Sequence, residues 1–296
     1  MSDTAAILGP GAVGGAIAAR LSAAGVPTVC VAHPDAVGPI ALGGLAVETR
    51  TGHLTARVEA TERLERPVRL LLVTVKAGVL EDAIERVEPD AVAEGVVVPL
   101  LNGLEHMDVL RARFDGRVAA GSVSHYQAYR VSRVQIVEAS PPPLVTVASE
   151  TIPRHELEGA LELLRQAGLD VRVEDDERRV LWHKLARIAP LAAATSASGL
   201  TVGELRDQPV WRDRLELAVE EACAVAAADG VALQPEDQWA IIDAMANETT
   251  TSAARDVAAG RASELDAILG AVLRAAERHR LVVPTLEELA AEAGLR

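Results

Sequence analysis

The first 25 residues constrain the fold more than any other stretch. From Ala5 to Gly25 the chain reads AAILGPGAVGGAIAARLSAAG. Ala5 to Leu8 is a short apolar run of the kind that forms a buried strand, and after Gly15 apolar residues recur at helical spacing. Gly9, Gly11 and Gly14 join the two as G-x-G-x-x-G. In that pattern the first glycine makes the tight turn, the second lets a pyrophosphate approach the backbone, and the third lets helix and strand pack closely. Ala12 and Val13 would then open the helix, placing its positive N-terminal end beneath the phosphates. A second strand, PTVCVA at Pro27 to Ala32, follows directly. Strand, glycine turn, helix and strand in this order predict a dinucleotide-binding α/β unit; the alternative is the same turn in a fold that has lost its ligand.

The end of the second strand normally selects the cofactor: a carboxylate there holds the ribose 2′-hydroxyl of NAD, whereas a basic residue accommodates the 2′-phosphate of NADP. The chain reads VAHPDA at this point, with His33 at the tip and Asp35 two residues on. A histidine can donate to a phosphate, which leans the reading toward NADP(H). Asp35 keeps NAD(H) open.

Two later segments repeat the strand-to-helix pattern. Val68 to Val75 is followed by Lys76, and Val96 to Leu100 by Asn102-Gly103 and a helix starting near His106. Lys76 and Asn102 thus lie at carboxyl ends of strands, where open α/β sheets bind ligands. The bland alternatives are a solvated lysine and an asparagine favoured before glycine in a turn. RVAAGSV, VQIVEA and PLVTVAS read as further strands, with His125 following the first; a helix from Pro153 to Ala167 and the strand LDVRV complete this part. The acidic run Glu174 to Glu177 reads as a solvated boundary.

Beyond it, ERRVLWHKLARIAPLAAATSASG, LELAVEEACAVAAADG, PEDQWAIIDAMANE and ELDAILGAVLRAAERH are all helical in period. The predicted organisation is a Rossmann-like α/β domain over 1–174 followed by an all-α substrate and dimerisation domain over 175–296, with an active site in the cleft between them. Lys184, within a largely apolar helical segment, must either snorkel to water or be held for chemistry. Glu264 reads as a carboxylate at a helix start, favoured by the dipole, while Ser252 or Ser263 reads as a helix cap.

Composition removes several function classes. A formal net charge of −14 and the lack of a basic stripe with interleaved aromatics argue against nucleic acid as a partner. No apolar run reaches bilayer length, so a membrane partner is not expected. The N-terminus enters an apolar strand without a basic leader, which points to the cytoplasm. Seven scattered histidines give no metal-site spacing. Cys30 and Cys223 read as buried packing residues.

Taken together, GPGAVGG, VKA, LNGLEH, GSVSH, LWHKLA, GEL at Gly203 to Leu205, TSAARDVAAGRASELDAILG and Val283-Pro284 resemble the ketopantoate reductase (2-dehydropantoate 2-reductase) family, essentially end to end. The resemblance implies an NADPH-binding Rossmann domain, a helical domain, and hydride transfer to the ketone of a 2-keto acid in pantothenate biosynthesis, while the apolar Ala-rich helices of the second domain point to a homodimer. It places Lys184 on the family's catalytic acid and Glu264 beside it, near both substrate and cofactor. It also puts Asn102 near the nicotinamide and substrate, Ser252 on the substrate, and Lys76 near the cofactor. Four positions depart from the family pattern. Ile188, Ala192 and Val202 stand where polar partners of the lysine and substrate are expected, and His33 stands where arginine is common. The departures imply a drier substrate pocket; they also keep open a non-catalytic NADP(H)-binding sensor of the same fold, and a dehydrogenase running in the oxidative direction.

Overall fold

The structure, a computed structural model, describes residues 3–124 and 126–295. His125, in the GSVSH motif, lies outside the described residues. The chain divides into two units, one comprising Met1–Leu101 with His106–Val180 and the other Asn102–Glu105 with Leu181–Arg296. The change of pattern noted after residue 174 lies just ahead of the long helix in which this division falls.

Among the described residues the first unit holds twelve strands: β1 (Ala5–Leu8), β2 (Thr28–Val31), β3 (Leu45–Thr49), β4 (Gly52–Ala56), β5 (Glu59–Thr61), β6 (Leu70–Val73), β7 (Val96–Pro99), β8 (Ala120–Ser124), β9 (Ala128–Arg130), β10 (Gln135–Glu138), β11 (Leu144–Ala148) and β12 (Asp170–Glu174). Its helices are α1 (Ala12–Ala23), α2 (Pro34–Gly43), α3 (Leu80–Ile84), α4 (His106–Arg113) and α5 (Arg154–Gln166). Five parallel strands form the main sheet in the order β5-β2-β1-β6-β7. In β1, β2, β6 and β7 every residue is buried, as a parallel sheet covered on both faces requires. A second sheet runs β4-β3-β10-β9 and a third β12-β11-β8.

One buried ion pair ties α1 to the second sheet. Arg20 pairs with Glu138 on β10, and the Tyr126 hydroxyl donates to the same carboxylate at 2.7 Å. Burial and the Glu138 carboxylate push the Tyr126 phenol well above its ordinary range. Cys30, sealed in β2, is pushed up to about 12, and Cys223 in the helical unit to about 11, mainly by burial. Both thiols are packing residues.

The second unit is all helix: α6 (Glu177–Ser198), α7 (Val202–Asp207), α8 (Pro209–Ala228), α9 (Pro235–Asp243), α10 (Ser252–Ala258), a π-helical turn (Asp266–Gly270) leading into α11 (Ala271–His279), and α12 (Pro284–Glu292). Alanines dominate its core, so helices approach closely around Trp182, whose indole N–H reaches Asp229 at 2.7 Å. The acidic run does not behave as one solvated face. Glu177 is 5% exposed, pairs with Arg111 and accepts the Glu150 N–H at 3.1 Å, which fixes the first residue of α6.

Candidate functional site

The glycine turn has the geometry its sequence predicts. Gly9 turns at φ +85, a value that side chains resist, and sits against the Val75 backbone. Gly14 is buried, and a Cβ there would fall on the Thr74 hydroxyl, 2.8 Å from the Gly9 carbonyl and 2.9 Å from the Ile7 side chain. Thr74 fastens the turn from β6, donating to the Gly9 carbonyl at 2.7 Å and the Leu8 carbonyl at 3.1 Å. Gly11, Ala12 and Val13 remain partly exposed, and α1 starts at Gly11 without a side-chain cap. First-turn N–H groups with no internal acceptor beside a glycine cradle fit a pyrophosphate. Lys76 is exposed at the carboxyl end of β6, directly after the residue that Gly9 touches.

At the tip of β2, His33 is exposed and starts α2. Its Nδ1 lies 2.6 Å from Asp35 Oδ1, and Arg133, from the turn between β9 and β10, pairs with the other carboxylate oxygen. The His33 hydrogen bond first, and the Arg133 charge after it, hold the Asp35 carboxyl below the usual carboxylate range. Sequence reading found His33 and Asp35 but missed Arg133, which is remote in the chain.

The other four candidates lie in the second unit. Lys184 is partly buried rather than extended to solvent. Burial, then the charge of Arg187, pulls its ammonium down to about 8, while Glu264 opposes them. Lys184 and Glu264 are therefore within electrostatic reach of each other. Arg187, one turn after Lys184, is 6% exposed and donates from Nη1 to Gln238 Oε1 at 2.9 Å and to the His183 carbonyl at 3.3 Å. It was not among the residues singled out from sequence, although a second cation three positions from Lys184 in an apolar stretch is a readable signal.

Glu264 stands two residues before the π-helical turn, where the N–H of Ala271 reaches back five residues to the Asp266 carbonyl. The Asn102-Gly103 turn lies against this segment: a Cβ on Gly103, at φ +95, would run into the Ala267 carbonyl. Arg274 clamps the arrangement, donating twice to the Glu105 carboxylate at 2.8 Å, and to the Asp266 carboxylate at 2.8 Å and the Asp266 carbonyl at 3.2 Å. Those bonds push the Arg274 guanidinium above its ordinary range. Asn102 and Glu264 are thus brought onto one local scaffold.

Ser252 is exposed at the first position of α10. The cap of that helix is Thr251, whose hydroxyl accepts the Ala254 N–H at 3.1 Å, so the reading of Ser252 as the cap is corrected. The hydroxyls of Thr251 and Thr195 lie 2.8 Å apart, which fixes the start of α10 to α6. Ala192 and Val202 are buried at 1% and 0% exposure, and Ile188 packs against the same core. Among the described residues no helix is long and apolar enough to cross a membrane, and no group of three His, Cys, Asp or Glu could hold a metal ion.

Residues 5–147 match the family described as Ketopantoate reductase PanE/ApbA, and residues 176–295 match Ketopantoate reductase PanE/ApbA C terminal. The chain is 29% identical to the 2-dehydropantoate 2-reductase of Caulobacter vibrioides over 291 residues, 94% of each chain. It is similar to the crystal structure of a PanE/ApbA family ketopantoate reductase from Ralstonia eutropha JMP134, with a TM-score of 0.88 at 26% identity over 99% of this chain and 97% of that one. The fold is shared as well with D-mandelate dehydrogenase in its ternary structure with NADH and anilino(oxo)acetate, with a TM-score of 0.89 at 19% identity over 98% of this chain and 97% of that one.

Proposed function

The chain belongs to the ketopantoate reductase family, and on that premise we propose that it reduces the ketone of a 2-keto acid at the expense of a nicotinamide cofactor. The observation that carries the reading is Lys184, an amine drawn out of water and balanced between Arg187 and Glu264. A reduced nicotinamide, when bound, supplies hydride to the carbonyl carbon. Gly9, Gly11 and Gly14, with the first turn of α1, hold its pyrophosphate; Lys76 and His33 contribute from the ends of β6 and β2.

Lys184 donates a proton to the ketone oxygen as negative charge develops there, and its ammonium stabilises that charge in a water-poor setting. A value near 8 keeps the amine mostly protonated at neutral pH yet able to release its proton. Glu264 keeps the ammonium charged and oriented, Asn102 positions the carboxamide and substrate, and Ser252 binds the polar end of the substrate. We assign NADP(H) as the preferred cofactor, because Arg133 beside His33 adds a guanidinium at the tip of β2 and occupies Asp35. A homodimer joined through the Ala-rich helices and a cytoplasmic setting belong to the same reading.

Ile188, Ala192 and Val202 argue for a substrate more apolar than ketopantoate, since its hydroxyl would lack an amide partner, at about 1–3 kcal/mol for each buried group left unpaired. The same apolar trio supports a second reading, a sensor that binds NADPH without turnover. The test is NADPH oxidation by the purified protein with ketopantoate beside aliphatic 2-keto acids, and with Lys184→Ala as control. Turnover abolished in Lys184→Ala supports the reductase; tight NADPH binding with no turnover of any keto acid supports the sensor.

A further inference from the structure

Arg187 carries a charge that the fold does not neutralise. Its side chain is 6% exposed, and among the described residues no carboxylate pairs with it. Both acceptors of Nη1, the Gln238 amide oxygen and the His183 carbonyl, are neutral. They orient the guanidinium without cancelling it. Nε is buried with no acceptor at all, while Nη2 takes no acceptor from the protein and, unlike Nε, is not shut off from the surface. Buried charges in folded proteins are paired, and a cation held open in this way is an incomplete ion pair.

Its position supplies the missing half. Lys184 and Arg187 are neighbours on one helix face, with Cβ atoms about 5–6 Å apart by helix geometry. Arg187 lies close enough to act on the Lys184 ammonium, and among the described residues the carboxylate that acts on Lys184 is Glu264. Two cations facing one carboxylate leave a net positive charge when all three are ionised. Beside them Ile188 and Ala192 offer only carbon. In a 2-oxo acid the ketone carbon is bonded directly to the carboxylate carbon, so two cations one helical turn apart can serve both groups of one molecule.

We propose that Arg187 is the carboxylate anchor of the substrate site, with Gln238 as its positioning residue, and that the substrate class is 2-oxo acids with an aliphatic side chain. The assignment rests on the reductase reading above. Nη2, the guanidinium nitrogen left open to the surface without a protein acceptor, donates to the substrate carboxylate in a charge-assisted bond, with Nη1 held by Gln238 and the His183 carbonyl behind it. The aliphatic side chain of the substrate then meets Ile188, which is partly exposed.

The test compares 2-oxo acids with the matching uncharged 2-oxo amides in NADPH-dependent turnover by the full chain. Arg187→Met is expected to raise KM for the acids about 10- to 150-fold, the worth of a hydrogen-bonded charge, and to leave the amides near their wild-type values. Arg187→Lys recovers part of the loss. Because Arg187→Met removes a buried polar anchor, Gln238→Glu provides a second route: it gives the guanidinium a carboxylate within the protein and should weaken acids selectively in a folded chain. Oxamate, an unreactive 2-oxo acid analogue, gives a readout without turnover, by calorimetry in the presence of NADPH. Wild-type binding that weakens at least about tenfold in Gln238→Glu supports the anchor even if no keto acid is reduced. Acids and amides falling together, or oxamate binding unchanged in Gln238→Glu, overturns it.

Discussion

Gly103 meets the carbonyl of Ala267 with no room for a side chain between them. Asn102 therefore takes its place from the π-helical turn that follows Glu264. Gly103→Ala must adopt φ +95 and push Ala267 away, which should cost about 1–3 kcal/mol. Thermal unfolding measures the loss, and kcat should fall in the folded fraction while NADPH affinity falls less.

Lys184 as the acid gives a pH dependence with a defined sign. Protonated amine is required, so kcat/KM should decline as pH rises through about 8. Lys184→Ala should lower kcat by about 10²–10⁴-fold and leave a flat profile over that range. Stability moves the other way. The folded value lies below the ordinary 10.5, so the cost of burying the ammonium is fully present below about 8 and is relieved between 8 and 10.5. Unfolding of wild type against Lys184→Met should show their stability difference shrinking in that window.

Gly14→Ala sets a methyl group against the Thr74 hydroxyl and the Gly9 carbonyl, both part of the phosphate turn. Such overpacking costs about 1–3 kcal/mol and would displace the first turn of α1. Fluorescence titration with NADPH should show binding weakened well beyond the change in melting temperature. A variant that binds NADPH like wild type would remove the turn from the cofactor site.

Arg133→Ala should change cofactor preference rather than overall activity. It releases Asp35, which then favours a ribose hydroxyl over a phosphate, and deletes a cation from the tip of β2. The ratio of kcat/KM for NADPH to that for NADH is expected to drop about tenfold or more, the worth of one charged hydrogen bond. An unchanged ratio would leave His33 as the determinant.

Arg20→Met strands the Glu138 carboxylate, whose side chain has no exposure, against the Tyr126 hydroxyl alone. Breaking a buried pair from one side costs about 3–5 kcal/mol. Denaturant unfolding should register it, and Arg20→Met with Glu138→Gln should regain part of the loss.

Much of this was legible in sequence because the signals were local. The four buried parallel strands β1, β2, β6 and β7 announce themselves as apolar runs, and glycines 9, 11 and 14 fix the turn between β1 and α1 without help from the rest of the chain. Strands β3, β4 and β5 were not read, since LAVET, GHLTA and EAT mix exposed polar residues with short apolar ones and hold together by pairing. Helices α7, α10 and α12 are six, seven and nine residues long, too short for a clear period. Arg133 beside Asp35 and Gln238 beside Arg187 are separated by 98 and 51 positions, so only the fold introduces them.

The π-helical turn gives one more consequence. Its wider loop accommodates a residue that regular α-helix would not, so the chain ahead of Asp266 is rotated relative to α11 by about 100°, the angle one residue subtends in an α-helix. Deleting a single residue there would restore ordinary winding, keep every side chain named above, and still turn Glu264 away from Lys184. In this segment residue count acts as a coordinate of the site, and relatives differing by one residue between positions 264 and 271 would differ in where the carboxylate points.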